Sequence, residues 1–208
     1  MNRRTTFAAL VSFAAVLSIS RPVPAADAYT IDSTHTSVIF SAGHAGLSYT
    51  YGFFRQAAGN YTLDANPANC RFQFTIQTGS LDTNHAKRDE HLRSPDFLNV
   101  QQFPTITFES TACTLANMPD RSTVYQVTGD LTLHGVKRQV TVPLRLLAEG
   151  KGPYGDSRNG FLCQTELKRS DYDMTNLLEN NLVGDAVSIT ISFEGVKQEA
   201  AATPPRQR

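Results

Sequence analysis

A chain of 208 residues, 40% of them hydrophobic, is long enough to bury the core of one domain, and no internal repeat or low-complexity linker argues for two. Its 19 basic and 19 acidic side chains are interspersed along the sequence. This even distribution argues against a nucleic-acid-binding protein and against attachment to anionic membranes through a basic patch.

The N-terminal segment, residues 1–26, has the order of a secretory signal peptide. Arg3 and Arg4 precede an apolar run over residues 7–19. This run is shorter than the ~20 residues of a membrane-spanning helix, which favours a cleaved signal over an anchor. Three cleavage positions stay open: Ala25, Ala26 and Ala28. We therefore predict an exported protein whose domain covers residues 27–198.

Removal of the signal would leave the protein slightly acidic. Cleavage after Ala25 takes away three arginines and no acids, so the 19 basic side chains become 16, against 19 acidic ones. At the other end, residues 199–208 are predicted to form a disordered tail. Neither end contributes to the predicted fold.

The mature chain begins with segments that alternate apolar and polar residues, which is typical of β-strands. Residues 29–32 and 37–42 are predicted as two short strands, and residues 47–63 as a strand pair bent at its glycines. Residues 70–78 alternate most cleanly and predict a further strand with one apolar face.

Residues 81–108 interrupt this alternation and predict a short helical insertion, around residues 84–101. Three residue types that favour a helix N-cap stand at 82–84. Pro95 should end the helix, because its ring disfavours the helical conformation in the residue before it. The two-residue period then resumes at residues 105–114, which predicts the next strand.

The alternation continues to the C-terminal region in four more segments: residues 124–133, 140–146, 160–168 and 187–194. His134 and Gly135 are predicted to form a tight turn between the first two of these. About eight strands with one apolar face must close on themselves or pack as two sheets to cover that face. The pattern therefore predicts an all-β protein, either a closed antiparallel barrel or a sandwich.

The three cysteines cannot all pair within one chain, so at least one is free or pairs between chains. Cys70 is in phase with the apolar face of its strand, whereas Cys113 is out of phase with Ile106 and Phe108. If both apolar sets face one interior, the two cysteines point to opposite faces, and a disulfide between them would require a bulge. We therefore predict no Cys70–Cys113 disulfide.

Polar clusters in the chain allow two kinds of site. His85 and Asp89 have a spacing suitable for two metal ligands on one helix face, but no third ligand follows, so we predict no metal there. Residues 88–91 are instead predicted to form ion pairs that hold the helix over one end of the barrel. Arg169 and Asp171 are predicted to pair and brace the irregular segment after them. No GxSxG, HExxH, CxxC or glycine-rich phosphate loop is present, which favours a protein that is not an enzyme.

Four separated segments carry a resemblance to a known family. They are YTIDSTHTSVIF from Tyr29, KRDEHLRSPDFLNVQQFPTITFEST from Lys87, VTGDLTLHGVKRQVTVPL from Val127 and GFLCQTELKRSDYDM from Gly160. Together, in this order, they resemble the YceI-like family of exported bacterial proteins. One departure is Tyr172-Asp173, where the family often has phenylalanine and glycine.

The resemblance implies a lipocalin-like closed antiparallel β-barrel of about eight strands with a long apolar tunnel, located in the periplasm. It implies as ligand an isoprenoid, such as a quinone or a polyprenyl phosphate, or a fatty-acyl lipid, and no other cofactor. Transient contact with a membrane or a membrane protein is expected, and a homodimer stays open. The inward-facing apolar positions predict this tunnel lining: Val38, Phe40, Phe72, Phe74, Ile76, Ile106, Phe108, Val127, Leu131, Val142, Leu144, Phe161, Ile189 and Ile191.

Arg88 and Arg93 are predicted to bind a phosphate or quinone head group, because basic residues are dense in the insertion. Two other functions stay open at this point. The protein could be a redox accessory or enzyme that uses a bound quinone, or a packed barrel without a ligand that acts through its surface.

Overall fold

The structure is a computed structural model that describes residues 26–199. Almost all of the predicted signal peptide and of the predicted tail lies outside these residues. Within them, no helix is long and apolar enough to cross a membrane.

One antiparallel sheet contains all ten strands of the described chain. The strands are β1 (Asp27–His44), β2 (Ser48–Phe54), β3 (Ala57–Leu63), β4 (Arg71–Gln77), β5 (Leu81–Asp82), β6 (Thr105–Leu115), β7 (Val124–Leu133), β8 (Val136–Lys151), β9 (Ser157–Lys168) and β10 (Val183–Lys197). The α-helix is α1 (Ala86–Arg93), and the 3₁₀ turns are Pro67–Asn69, Thr78–Ser80 and Arg169–Tyr172.

The sheet closes because β1 pairs with β10. The first part of β1 pairs with β3 and its second part with β2, so β2 and β3 are two halves of one bent strand position. The short β5 continues β4 in the same way, because β4 pairs with β3 and β5 with β2. The barrel therefore has eight strand positions. The predicted closed antiparallel barrel is confirmed, and the alternative of a sandwich is wrong.

The first strand differs from the prediction of two short strands. β1 is continuous over 18 residues, and the pairing register with β10 shifts between Asp32 and Ser37. At this irregularity, the Asp32 carboxylate accepts hydrogen bonds from the backbone N–H and the hydroxyl of Thr34, at 2.9 and 2.6 Å. A side chain thus satisfies the backbone where the regular ladder is interrupted.

A β-bulge in β6 overturns the predicted orientation of the cysteines. The register between β6 and β7 shifts between Ser110 and Ala112, so one extra residue stands in β6. The extra residue turns Cys113 into the interior, where it lies in the same buried cluster as Cys70. The prediction that Cys70 and Cys113 point to opposite faces is therefore wrong, and the thiols of both are free in this structure.

The helical insertion forms where the sequence predicts it, although its N-cap is His85. The His85 ring nitrogen Nδ1 accepts a hydrogen bond from the Arg88 backbone N–H at 3.2 Å. Asp89 is buried and accepts hydrogen bonds from the backbone N–H and the hydroxyl of Thr83, at 2.8 and 2.5 Å. His85 and Asp89 therefore serve to start and anchor α1 and do not form a ligand pair.

His134 and Gly135 form the predicted turn between β7 and β8, and both have positive φ angles, of 52° and 77°. The His134 ring also packs edge-on against Phe103, with centroids 4.7 Å apart, and its Nδ1 lies 3.0 Å from the Tyr172 carbonyl oxygen. The turn thereby connects the segment after α1 to the segment after β9.

Candidate functional site: an apolar cavity in the barrel

The barrel interior contains an apolar cavity of about 150 Å³. Thirteen of the fourteen residues predicted to line a tunnel border it, and Phe161 does not. The other bordering residues are Ile31, Phe54, Asn60, Gln73, Leu133, Val140, Cys163, Thr165, Leu167 and Phe193. Asn60 and Gln73 are exposed on the outside of the barrel, so the interior surface is almost entirely hydrocarbon.

The alternation in the sequence could have identified most of the residues that the prediction missed. Val140, Leu167 and Phe193 continue the apolar faces of β8, β9 and β10. Phe54 carries no such signal, because it ends the glycine-rich segment in which the strand position bends. The structure shows that these side chains border the cavity. Their contact with a ligand stays a prediction.

The cavity is smaller than the long tunnel that the resemblance implies. Its volume is similar to that of an apolar cavity that holds a benzene-sized molecule, and below the roughly 300–1,000 Å³ of typical ligand pockets. Three phenylalanines on three different strands, Phe40, Phe74 and Phe108, project into it. These three are only partly buried because their rings border open space. A lipid chain would have to displace these rings.

One end of the barrel is sealed by a cluster of aromatic side chains, which we call the aromatic end. Its rings belong to Tyr29, Tyr61, Phe72, Tyr125, Phe161 and Phe193. Phe161 is 0% exposed and lies at its centre, in edge-on contact with Tyr61 at 5.6 Å and 5.4 Å from the Phe193 ring. Phe72 and Phe193 also border the cavity, so the aromatic end forms its floor.

The phenol of Tyr61 is the main polar group inside the aromatic end. It donates a hydrogen bond to Oδ1 of Asn159, which is also buried. Burial raises the pKa of Tyr61 far above its ordinary value, so the phenol stays neutral. This end is therefore a closed core, with no charged group available to a ligand.

The opposite end, which we call the insertion end, is covered by residues 94–103 and 169–183. Arg169 holds this cover together: it is 5% exposed, and its guanidinium donates four hydrogen bonds to backbone carbonyls. The acceptors, at 2.8 to 2.9 Å, are the carbonyl oxygens of Met174, Asn176, Val183 and Gly184. The guanidinium also lies 5.7 Å from the centre of the Phe97 ring.

The predicted pair of Arg169 and Asp171 is therefore wrong, because backbone carbonyls take every hydrogen bond found for Arg169. Asp185 accepts from the backbone N–H and the hydroxyl of Ser170, both at 2.8 Å, and fixes the start of the same segment. Burial lowers the pKa of Arg169, and the charge of Asp185 opposes this shift. The guanidinium is committed to the fold of this cover.

The two arginines predicted to bind a head group lie outside the cavity lining. The Arg88 guanidinium donates to the hydroxyl and the carbonyl oxygen of Thr83, at 2.8 and 2.7 Å. Arg93 donates to the carbonyls of Gly79 and Leu81. Both side chains thus hold the insertion against the strand position formed by β4 and β5. Of residues 88–91, which were predicted to form ion pairs, His91 alone does so in the described part of the chain, with Asp96 at 3.0 Å.

A charged cluster on the outer surface near the aromatic end has the composition of a metal site. The ligand atoms of Asp32, His35 and Glu194 lie within 4.8 Å of one another. Arg158 lies in the same cluster, with its guanidinium 2.7 Å from Asp32 and 2.9 Å from Glu194. Hydrogen bonds from Thr34, His35 and Arg158 lower the pKa of Asp32 well below its ordinary value. The arginine already supplies the positive charge that a cation would bring.

Comparison with known proteins agrees with this architecture. The YceI-like domain matches residues 29–195. A UPF0312 protein of Ectopseudomonas mendocina is 40% identical over 198 residues, which cover 94% of this chain and 99% of that protein.

Two solved structures have the same fold. Burkholderia cenocepacia BcnA has a TM-score of 0.70 at 24% identity, covering 79% of this chain and 98% of that one. A polyisoprenoid binding domain from Saccharophagus degradans, implicated in plant cell wall breakdown, has a TM-score of 0.60 at 15% identity, with coverages of 82% and 98%. The match of the YceI-like domain to residues 29–195, together with the relative that is 40% identical, shows that the chain belongs to the YceI-like family.

Proposed function

We propose that this protein is a periplasmic carrier that holds a long-chain lipid, an isoprenoid such as a quinone or polyprenyl phosphate, in the barrel cavity. The observation that carries the proposal is the hydrocarbon lining of the cavity, which continues through all eight strand positions of the barrel. The polyisoprenoid binding domain with the same fold adds support. The N-terminal segment with the order of a signal peptide supports the location.

The energetics favour a lipid over a polar ligand. Each buried methylene contributes about 0.8 kcal/mol, so the roughly twenty carbons of four isoprene units contribute on the order of 16 kcal/mol before ordering costs. Nanomolar affinity needs about 12 kcal/mol, which leaves several kcal/mol for immobilising the chain and moving the phenylalanine rings. A polar ligand would lose its hydration in this cavity without finding hydrogen-bond partners.

Because the cavity is small, a long lipid chain can bind only if the rings that border the cavity move. The partly buried rings of Phe40, Phe74 and Phe108 contact open space on one side, so they can change rotamer at little cost in packing. The buried rings at the aromatic end have more packing contacts to lose, and so have less freedom to move. We therefore expect the lipid chain to extend from the cavity toward the insertion end.

Mass spectrometry of an organic extract is the decisive test. The full chain is expressed in a bacterium that makes quinones and polyprenyl phosphates, purified without detergent and extracted. We expect one prenyl or acyl lipid per protein. The matched variants are Ile189→Trp, which places a large ring in the cavity, and Ser188→Trp, which places the same ring on the exposed face of β10. Ile189→Trp should lose the lipid and Ser188→Trp should keep it.

A fluorescence titration tests binding directly, since the chain contains no tryptophan. Phe108→Trp places the only indole in the cavity lining, and Tyr51→Trp places it on the exposed surface of β2. Addition of a short-chain ubiquinone should quench the tryptophan fluorescence of Phe108→Trp saturably, whereas it should quench that of Tyr51→Trp only by collision. Equal quenching of both variants, together with an empty extract of the wild type, would refute the proposal.

A packed barrel that acts through its surface is the second candidate, and the small volume of the cavity favours it. The two functions differ in one measurable property. A ligand-free barrel gives an empty extract, and Ile189→Trp then changes only stability. Saturable quenching of Phe108→Trp would decide for the carrier.

A further inference from the structure

The bulge in β6 brings Cys113 next to Cys70, the residue just before β4. In the ladder between β4 and β6, Phe74 pairs with Phe108, and the Phe72 backbone N–H donates to the Ser110 hydroxyl at 2.8 Å. This register, continued, would put Cys70 opposite Ala112. The ladder itself ends at Gln73 and Glu109, and beyond it the extra residue of the bulge advances β6 by one position, which brings Cys113 next to Cys70.

Both thiols lie in the interior next to each other. Cys70 is 0% exposed, Cys113 is 2% exposed, and both belong to the cluster of the aromatic end. Burial first, and then the neighbouring thiol of Cys70, raise the pKa of Cys113 to about 12. The loop before β4 also closes over this pair, because the Asp64 backbone N–H lies 3.4 Å from the Cys70 sulfur.

The geometry of facing strands suits a disulfide. Opposed residues of an antiparallel pair have Cα atoms about 4.5–5.5 Å apart, within the roughly 4.4–6.8 Å that a disulfide spans. Cys163 cannot substitute for either partner. It lies on β9, three strand positions from β6, and strands spaced by about 4.8 Å put it on the order of 14 Å from Cys113 along the barrel wall.

We propose that Cys70 and Cys113 form a structural disulfide across β4 and β6 when the chain folds in an oxidising compartment, and that Cys163 stays reduced. One thiolate attacks a disulfide of an exogenous thiol oxidant, and the second thiolate then displaces the oxidant's remaining thiol. One S–S bond forms between the cysteines and the S–S bond of the oxidant breaks; the two protons lost by the cysteines end on the two thiols released from the oxidant. This inference is independent of the lipid-carrier proposal.

The timing of the reaction follows from the burial of the pair. The thiolate is the attacking species, and a pKa of about 12 leaves Cys113 almost wholly protonated in the folded protein. Oxidation of the folded, reduced protein should therefore be slow. The disulfide has to form before the loop that contains Asp64 and Cys70 closes, during folding or during a local opening.

Thiol counting tests the proposal. The full chain is unfolded in denaturant with dithiothreitol, refolded in a buffer of oxidised and reduced glutathione, denatured again without reductant, and labelled with a maleimide. We expect one labelled cysteine, Cys163, and a proteolytic peptide pair joined through residues 70 and 113. Cys163→Ser should show no labelled thiol, whereas Cys70→Ser and Cys113→Ser should each show two.

Stability gives a second readout that does not depend on labelling. A disulfide that closes the loop between residues 70 and 113 should raise the apparent Tm of the oxidised protein above that of the reduced protein by roughly 5–15 °C. Three labelled thiols in the refolded wild type would overturn the proposal, and so would a linkage through Cys163. An oxidised form that melts no higher than the reduced form would equally contradict a disulfide that fits this register.

Discussion

The two halves of the barrel interior are built from the same residue types but are packed differently. At the aromatic end, the rings around Phe161 pack against one another, and all of them except Tyr125 are buried. In the cavity half, Phe74, Phe108 and their aliphatic neighbours are equally apolar but border a space of about 150 Å³. An apolar inward face therefore does not by itself distinguish a core from a binding cavity. The difference lies in whether opposite walls of the barrel supply side chains that meet.

The difference also assigns separate tasks to the two halves. The aromatic end stabilises the fold, because close packing gives each ring its full set of contacts. The cavity half gives up part of this stabilisation, since a void removes contacts from its lining. In the carrier that we propose, the lipid would supply the missing contacts.

The largest contrast is expected between two phenylalanine truncations. Phe161→Ala removes the centre of the aromatic end and should lower the free energy of unfolding by about 3–5 kcal/mol. Phe108→Ala enlarges a cavity that already exists, and should cost only about 1–2 kcal/mol, because its ring has fewer contacts to lose. Urea unfolding of the lipid-free proteins measures both values. Equal losses would contradict the distinction between the two halves.

The cover of the cavity half at the insertion end can be tested through Arg169. Arg169→Met removes the donor of four backbone hydrogen bonds and should cost about 2–4 kcal/mol, because it leaves buried carbonyls without partners. Arg145→Met is the control, since its exposed ion pair with Asp120, at 3.1 Å, should be worth less than about 1 kcal/mol. Hydrogen exchange of residues 169–183 should rise only in the first variant.

The close packing of the aromatic end can be tested at Gly195. A Cβ atom there would overlap the Tyr61 hydroxyl oxygen, and the Tyr61 ring is held by stacking on Tyr29 with centroids 4.9 Å apart. Gly195→Ala should therefore cost about 1–3 kcal/mol through overpacking. At Gly160 the nearest atom would be 4.0 Å away, so Gly160→Ala should cost clearly less. Thermal unfolding of both variants makes the comparison.

The smallest effect is expected at the charged surface cluster near the aromatic end. Hydrogen bonds from Thr34, His35 and Arg158 depress the pKa of Asp32, so the unfolded chain binds this proton more tightly than the native state. Asp32 should therefore stabilise the protein above about pH 4, and this contribution should be lost as the pH falls below that value.

The matched variants for this pH dependence are Asp32→Asn and Asp130→Asn. At pH 6, Asp32→Asn should lower the free energy of unfolding by about 1 kcal/mol or less, and the loss should shrink at pH 3. Asp130 has an exposed partner, Lys137, at 3.7 Å, and serves as the control. Unfolding curves at both pH values provide the test. A loss for Asp32→Asn that grows as the pH falls would show that the sign is wrong.

Local periodicity determined a large part of this structure. Because successive side chains of a strand point to opposite faces, alternation alone identified the inward residues, and thirteen of the fourteen chosen positions border the cavity. The insertion around α1 could also be predicted, since cap residue types and Pro95 act on their immediate neighbours. The four separated motifs indicated the family, and the family resemblance in turn predicted that the sheet closes into a barrel.

The remaining features depend on contacts between residues that are distant in the chain. One extra residue in β6 reverses the face of Cys113, and the phase change between Phe108 and Cys113 was its only trace in the sequence. The sequence predicted a head group as the partner of Arg88 and Arg93 and Asp171 as the partner of Arg169, but folding brings backbone carbonyls to all three. The Phe161 ring is part of a packed core, whereas the Phe108 ring borders a cavity. This difference depends on which side chains the opposite walls of the barrel bring together, because packing is set by contacts between strands and not by the sequence of one strand.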